Sequence, residues 1–174
     1  MTVPEGTQAH RNDARKFTVL RCAVLTVSDS RTTETDASGR YLREALAGAG
    51  HSVLEHGLLP NDEPRVRSQV QSWLDRDDLD LIVLTGGTGL GSRDRTIEVV
   101  RPLLEKEMPG FGELFRLLSF QEQVATASIL SRATAGSAKG KLLVSLPGSR
   151  AAVQLAVERI LLPEGAHAIR EIRR

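Results

Sequence analysis

Cysteine is nearly absent: Cys22 is the only one in 174 residues. That excludes an internal disulfide framework and any cysteine-cluster metal site, and it suits a reducing compartment. Aromatic residues make up only 3% of the chain, too few for the stacking platform that a single-stranded nucleic acid would need. A strong charge of either sign is also missing. The formal net charge is +1, which gives no long-range field to gather nucleic acid or an acidic membrane, so any anion binding must be local. Lysine is scarce, limited to Lys16, Lys106, Lys139 and Lys141, and the other basic residues are arginines. No apolar run approaches the roughly 18 residues of a membrane span, and the first residues carry no apolar signal core. A cytoplasmic protein without membrane or nucleic-acid partners is expected.

The chain is 40% apolar and 26% charged, enough for one sizeable core. Residues 1–19 mix charge, proline and glycine without an apolar period and read as a mobile tail, ahead of a single domain over 20–174. Within the domain, short β-branched runs alternate with stretches of helical spacing. "CAVLTVS" leads through a loop to "GRYLREALAGAG", and "HSVLEHGLL" leads to "NDEPRVRSQVQSWLD". "LDLIVLTGG" is almost continuously apolar, as a central parallel strand covered on both faces should be. A helix is expected from about Arg95 to Leu104, another over "GFGELFRLLSFQEQ", then a strand at "KGKLLVSLPGS" and a helix at "RAAVQLAVERILLP". The alternation predicts a three-layer αβα domain with a mostly parallel open sheet.

Ligands of such sheets bind beyond the carboxyl ends of the strands, where connections diverge. Polar residues collect there: Ser28, Asp29 and Ser30 after the first strand, Asn61 and Asp62 after the second, Thr85 to Asp94 after the third, and Pro147, Gly148 and Ser149 after the last. In "TGGTGLG", Thr85, Gly86, Gly87, Thr88 and Gly89 begin a bare loop whose amides can approach a phosphate; a following helix N-terminus would add to its pull on an anion. It is neither a Walker P-loop nor a strict dinucleotide fingerprint. Asp94 is an unfavourable neighbour for a phosphate unless a cation shares the site, and Mg2+ is the usual one. Asp62 and Asp29 are candidate second ligands or orienters. Each aspartate also has a structural reading, as helix cap, first-turn acid or turn residue. The histidines His10, His51, His56 and His167 have no metal-ligand spacing, no serine sits in a nucleophile elbow, and the flanks of Cys22 mark it as a core residue.

The pieces "LTVSDS", "TGGTGLGSRDRT", "PGFGELFRLLSF", "ILSRATAG" and "LPGS", in this order over roughly residues 20 to 162, resemble the molybdenum cofactor biosynthesis proteins of the MoaB/Mog type, and "FGELFRLLSF" and "SRATAG" look most like the B branch. The resemblance implies a molybdopterin-binding α/β fold and, in the Mog-like branch, transfer of AMP from Mg-ATP to the terminal phosphate of molybdopterin. On that reading Thr85 to Gly89 with Pro147, Gly148 and Ser149 hold molybdopterin, Ser28 and Asp29 of "SDS" and the "DASG" segment line the same crevice, and Asp62 and Asp94 are catalytic and hold Mg2+ and the ATP phosphates. Arg93 or Arg95 would face the leaving pyrophosphate. The sequence departs from the Mog-like pattern at Ile97, where proline is usual, and at Arg150. The alternative is a protein of the same pathway that binds molybdopterin or its precursor without turnover, alongside other pathway proteins. The family also implies a homotrimer or homohexamer, with the apolar face from Phe111 to Leu118 as contact surface.

Overall fold

The computed structural model describes residues 19–174; apart from Val19, the expected tail lies outside them. Six strands form one sheet in the order β2-β1-β3-β6-β5-β4. The strands are β1 (Arg21–Val27), β2 (Ser52–Leu59), β3 (Leu81–Thr85), β4 (Lys106–Glu107), β5 (Thr134–Ala138) and β6 (Lys141–Leu146). β2, β1, β3 and β6 run parallel. Every residue of β3 is buried, which accounts for its unbroken apolar run. The helices are α1 (Ala37–Gly48), α2 (Glu63–Leu74), α3 (Thr96–Val100), α4 (Pro109–Ser119), α5 (Arg150–Ala156) and α6 (Leu162–Ile172).

Alternation along the strands divides the core between two layers. Cys22, Val24, Leu81, Val83, Leu142 and Val144 share a cluster with Leu42 and Leu46 of α1, Phe111 and Phe115 of α4, Val153 of α5 and Ile169 of α6. Ala23, Leu25, Ile82, Leu84 and Leu143 share the other with Val66, Val70 and Trp73 of α2 and Val99 of α3. The three-layer αβα architecture with a mostly parallel open sheet stands as expected.

The structure adds one antiparallel edge and corrects two local expectations. The strands β4 and β5 pair antiparallel at the sheet edge and carry no strand pattern: β5 reads "TAGSA" because it is buried throughout, and a Cβ on Gly136 would run into the Lys106 carbonyl. The helix expected from Arg95 to Leu104 is α-helical only over Thr96–Val100, then tightens to a 3-10 turn at Arg101–Leu103. Pro102 has no amide to continue the ladder, and a five-residue helix offers little of the expected dipole. Finally, α4 turns Phe111 and Phe115 into the core, at 6% and 1% exposure, so the Phe111–Leu118 face is mostly an inward one. Its outward face carries Leu114 and Leu117.

Candidate functional site

After β1 the chain turns towards β2 on one side, whereas β3 lies on the other side of β1. This reversal leaves a crevice between the loops that follow β1 and β3, the place where an open α/β sheet binds ligands. Its floor is glycine by necessity. Gly86 and Gly87 have φ of 97° and 62°, and side chains there would overlap the Val27 carbonyl and the Thr96 hydroxyl respectively. The Gly86 amide bonds to the Leu146 carbonyl at 3.0 Å, and the Thr85 hydroxyl donates to the Pro147 carbonyl at 3.0 Å. Through these two bonds the β3 and β6 loops are tied together.

A cavity of about 650 Å3 opens above this floor. Of the residues expected from sequence, Ser28, Asp29, Gly86, Gly87, Thr88, Gly89, Asp94, Pro147, Gly148 and Ser149 line it. Thr85 does not; it is fully buried and acts as the tie to Pro147. Ser149 also caps α5, its hydroxyl accepting the Ala152 amide at 3.2 Å. The "SDS" segment lines the crevice but "DASG" does not. Instead Asp36 is buried, capping α1 through the Gly39 amide at 2.9 Å and accepting the Thr26 hydroxyl at 2.6 Å. Ser38 then donates to the Gly148 carbonyl at 2.8 Å, so this segment supports the site from behind.

The three aspartates separate by role. Asp94 lines the cavity and accepts the Gly91 amide at 3.2 Å; it is not a helix cap, which Arg95 occupies. Asp29 lines it too, accepting the Asn61 amide at 2.8 Å and pairing with Arg93 at 3.2 Å. The hydrogen bonds from Asn61 and the nearby Arg93 hold the Asp29 carboxyl below the usual carboxylate range, so it is anionic at neutral pH. Asp62 does not line the cavity. It caps α2, accepting the Arg65 amide at 3.0 Å, and borders a small separate void with Arg95. Arg93 thus lies in the cavity and Arg95 outside it, paired with Glu63 at 3.1 Å.

Sequence reading passed over several of the cavity's walls. Arg31 lines it and donates to the Gly148 carbonyl at 2.8 Å; its position after "SDS" was the available signal. Ser119, at the end of α4, and Gln123 and Ser128, from the connection after it, form the opposite wall. That connection winds through an irregular turn in which Ala125 has a φ of 46°, and no periodic pattern marks it. Below the cavity, Asn61 Oδ1 and Thr96 Oγ1 are buried without a hydrogen-bond partner.

These donors suit a hard cation better than a soft one. Asp94 and Asp29 both offer carboxylate oxygens, the ligand type Mg2+ prefers. Among the described residues no three His, Cys, Asp or Glu side chains gather as a metal site, so an ion here would complete its shell with water and phosphate oxygens.

Comparison with known proteins places the chain in a family. The profile of the family described as "Probable molybdopterin binding domain" matches residues 23–167. The chain is 52% identical over 171 residues to molybdenum cofactor biosynthesis protein B of Halalkalibacterium halodurans, spanning 96% of this chain and 97% of the relative. It is 42% identical over 169 residues to the protein of that name from Bacillus subtilis, over 97% and 98% of the two. A crystal structure of a molybdenum cofactor biosynthesis protein B superposes with a TM-score of 0.87 at 42% identity, covering 90% of this chain and 98% of that one. By profile, sequence and fold alike, the chain belongs to the MoaB/Mog-type molybdenum cofactor biosynthesis family.

Proposed function

We propose that this protein acts in molybdenum cofactor biosynthesis by binding molybdopterin in the cavity at the β1/β3 switch point and transferring AMP from ATP to its terminal phosphate. The observation that carries the reading is the meeting of a bare glycine loop with two carboxylates, Asp94 and Asp29, in one cavity. A glycine loop alone serves an anion; carboxylates beside it require a cation and therefore a charged, phosphorylated substrate pair.

The chemistry is undemanding of acid and base. A phosphate monoester oxygen attacks the α-phosphorus of ATP, the bond from that phosphorus to the bridging oxygen of pyrophosphate breaks, and pyrophosphate leaves with the electron pair. Because the nucleophile is already anionic near neutral pH, positioning and charge neutralisation supply the rate. No histidine lines the cavity, and none is required. Asp94 and Asp29 would hold Mg2+, which supplies charge neutralisation at the ATP phosphates. Arg31 and Arg93 place two guanidinium groups where phosphate charge accumulates, and the loop amides orient the molybdopterin phosphate. Ser149, at the mouth of α5, adds a hydroxyl to the same wall.

Asp62 favours a second reading. Its Oδ1 is engaged in capping α2 and its side chain is outside the cavity lining, so the pair Asp62 and Asp94 does not converge on one ligand here. A protein that holds molybdopterin without turnover would look the same. Incubation with molybdopterin and Mg-ATP separates the two: adenylated product and pyrophosphate from the wild type but not from Asp94→Asn support the transferase, and tight binding without product supports the carrier.

The wall after α4 also supports self-association. Leu114, Leu117, Phe120, Val124, Ile129 and Leu130 are between 41% and 77% exposed, and exposed apolar residues gathered in one stretch of chain are what an interaction surface requires. We infer a homo-oligomer, trimeric or hexameric, built through this face.

A further inference from the structure

Arg132, in the "SRATAG" stretch that leads into β5, does not line the molybdopterin cavity, yet it makes three hydrogen bonds to the backbone of the glycine loop. Its guanidinium donates to the carbonyls of Thr88 at 2.9 Å, Gly89 at 2.7 Å and Asp94 at 3.0 Å. Its NH1 also pairs with Glu98 at 2.6 Å. Thr88, Gly89 and Asp94 line the cavity, while Arg132 and Glu98 border a separate cleft of about 500 Å3. The loop is therefore a thin wall with the arginine on its outer side.

Across a trans peptide the carbonyl and the following amide point in opposite directions. Drawing the Thr88 and Gly89 carbonyls onto Arg132 thus turns the Gly89 and Leu90 amides away from it, and of these two residues Gly89 lines the cavity. Neither of those amides has a hydrogen-bond partner among the described residues. Without the guanidinium, three carbonyls would face the cleft unpaired, and a glycine-rich loop has the freedom to flip them inward, where they would repel a phosphate.

We propose that Arg132 is a positioning residue for the anion site, holding the glycine loop from behind so that its Gly89 amide faces the ligand phosphate. This rests on the molybdopterin reading for the identity of the ligand but not for the geometry. Lysine cannot substitute, since an ammonium is a point charge and cannot span three carbonyls and a carboxylate at once. Glu98 acts through Arg132.

The test uses the full-length protein with wild-type sequence and with Arg132→Ala, Arg132→Lys and Glu98→Gln, reading two quantities: molybdopterin affinity and amide hydrogen exchange over residues 86–95. Arg132→Ala and Arg132→Lys should each weaken molybdopterin at least tenfold and speed exchange in that loop while leaving exchange in β1, β3 and β6 unchanged. Millimolar methylguanidinium, admitted through the outer cleft, should return part of both losses in Arg132→Ala and none in Arg132→Lys, whose side chain fills the space. Wild-type affinity in Arg132→Ala, or faster loop exchange without weaker binding, overturns the proposal. If the wild type itself binds no molybdopterin, the functional reading fails, and loop exchange with its methylguanidinium reversal still decides the role of Arg132. Should Arg132→Ala not fold, Glu98→Gln decides, with a severalfold loss expected and no loss contradicting the assignment.

Discussion

Asp94 lies directly over Gly89: a Cβ on that glycine would come within 2.6 Å of Asp94 Oδ2. The bare loop therefore makes room for its own carboxylate as well as for a ligand. A methyl group at Gly89 would be cheap for the fold, because a carboxylate at the end of a side chain can swing aside, and Gly89 does not have the left-handed backbone found at Gly86 and Gly87. It would be costly for the chemistry. If the protein is the proposed transferase, Gly89→Ala should lower AMP transfer at least tenfold while the unfolding midpoint moves by no more than about 3 °C, a shift of under about 1 kcal/mol at this size. Gly87→Ala should behave in reverse order, losing about 2 kcal/mol of stability first, from its positive φ and its overlap with Thr96. Denaturant curves and turnover measured on both variants check the contrast; equal stability losses would refute it.

The parallel half of the sheet was legible because a strand buried on both faces needs little but apolar residues, as β3 has. The antiparallel edge was not. β5 is built from small residues because β4 and the core press close on it, and small residues carry no period. The same difference runs through the site. Asp29, Asp94 and the glycines follow strands directly and could be placed by counting along the sequence. Arg31 and Ser128 reach the cavity through a loop and an irregular turn, Ser119 from the last position of α4, and Arg132 reaches the glycine loop from 38 residues beyond Asp94. "SRATAG" carries part of the family resemblance, and three carbonyl distances show what its arginine holds. Asp62 shows the converse, since a residue at a strand end can as readily serve the next helix.

The opposite end of the sheet fixes how the protein responds to acid. Asp80 is buried at the start of β3 and accepts from Arg21 at 2.9 and 3.0 Å and from Arg173 at 2.6 Å. Burial alone would raise its carboxyl, but the Arg21 hydrogen bonds and then Arg173 outweigh it and hold the group down at about 2. A depressed carboxyl contributes stability that is complete above the unfolded value near 4 and is lost as pH falls through 2, on the order of 2 kcal/mol in all. Urea unfolding at pH 7, 4 and 2.5 should show this loss in the wild type. Asp80→Asn should be less stable at pH 7 and show a flatter decline below pH 4; parallel pH profiles would remove the assignment.

Cys22 should be chemically silent. It is fully buried in β1, and that burial, assisted by the nearby Asp80 charge, pushes its thiol up to about 12. The thiolate is the reactive form. Iodoacetamide at pH 8 should leave the native protein unmodified for hours and alkylate it within minutes in 6 M guanidinium; fast native labelling would mean that β1 opens.

The face after α4 separates two explanations of its apolar side chains. If Leu117 and Phe120, each about half exposed, were there only to cover the cavity, replacing them with lysine would alter ligand affinity and leave the solution mass alone. If they join protomers, a buried lysine would cost several kcal/mol per contact without a partner charge, and symmetry would repeat that cost at each interface. Leu117→Lys with Phe120→Lys should therefore reduce the light-scattering mass from a multiple of 18.9 kDa to that of a single chain. The fold itself should survive, because Phe111 and Phe115, on the other side of α4, still fill the core. Molybdopterin binding measured on the resulting monomer then tells whether Val124 and Leu130, which line the cavity and are also exposed, need a neighbouring chain to hold them in place. A wild type already at 18.9 kDa would show that the patch serves something other than self-association.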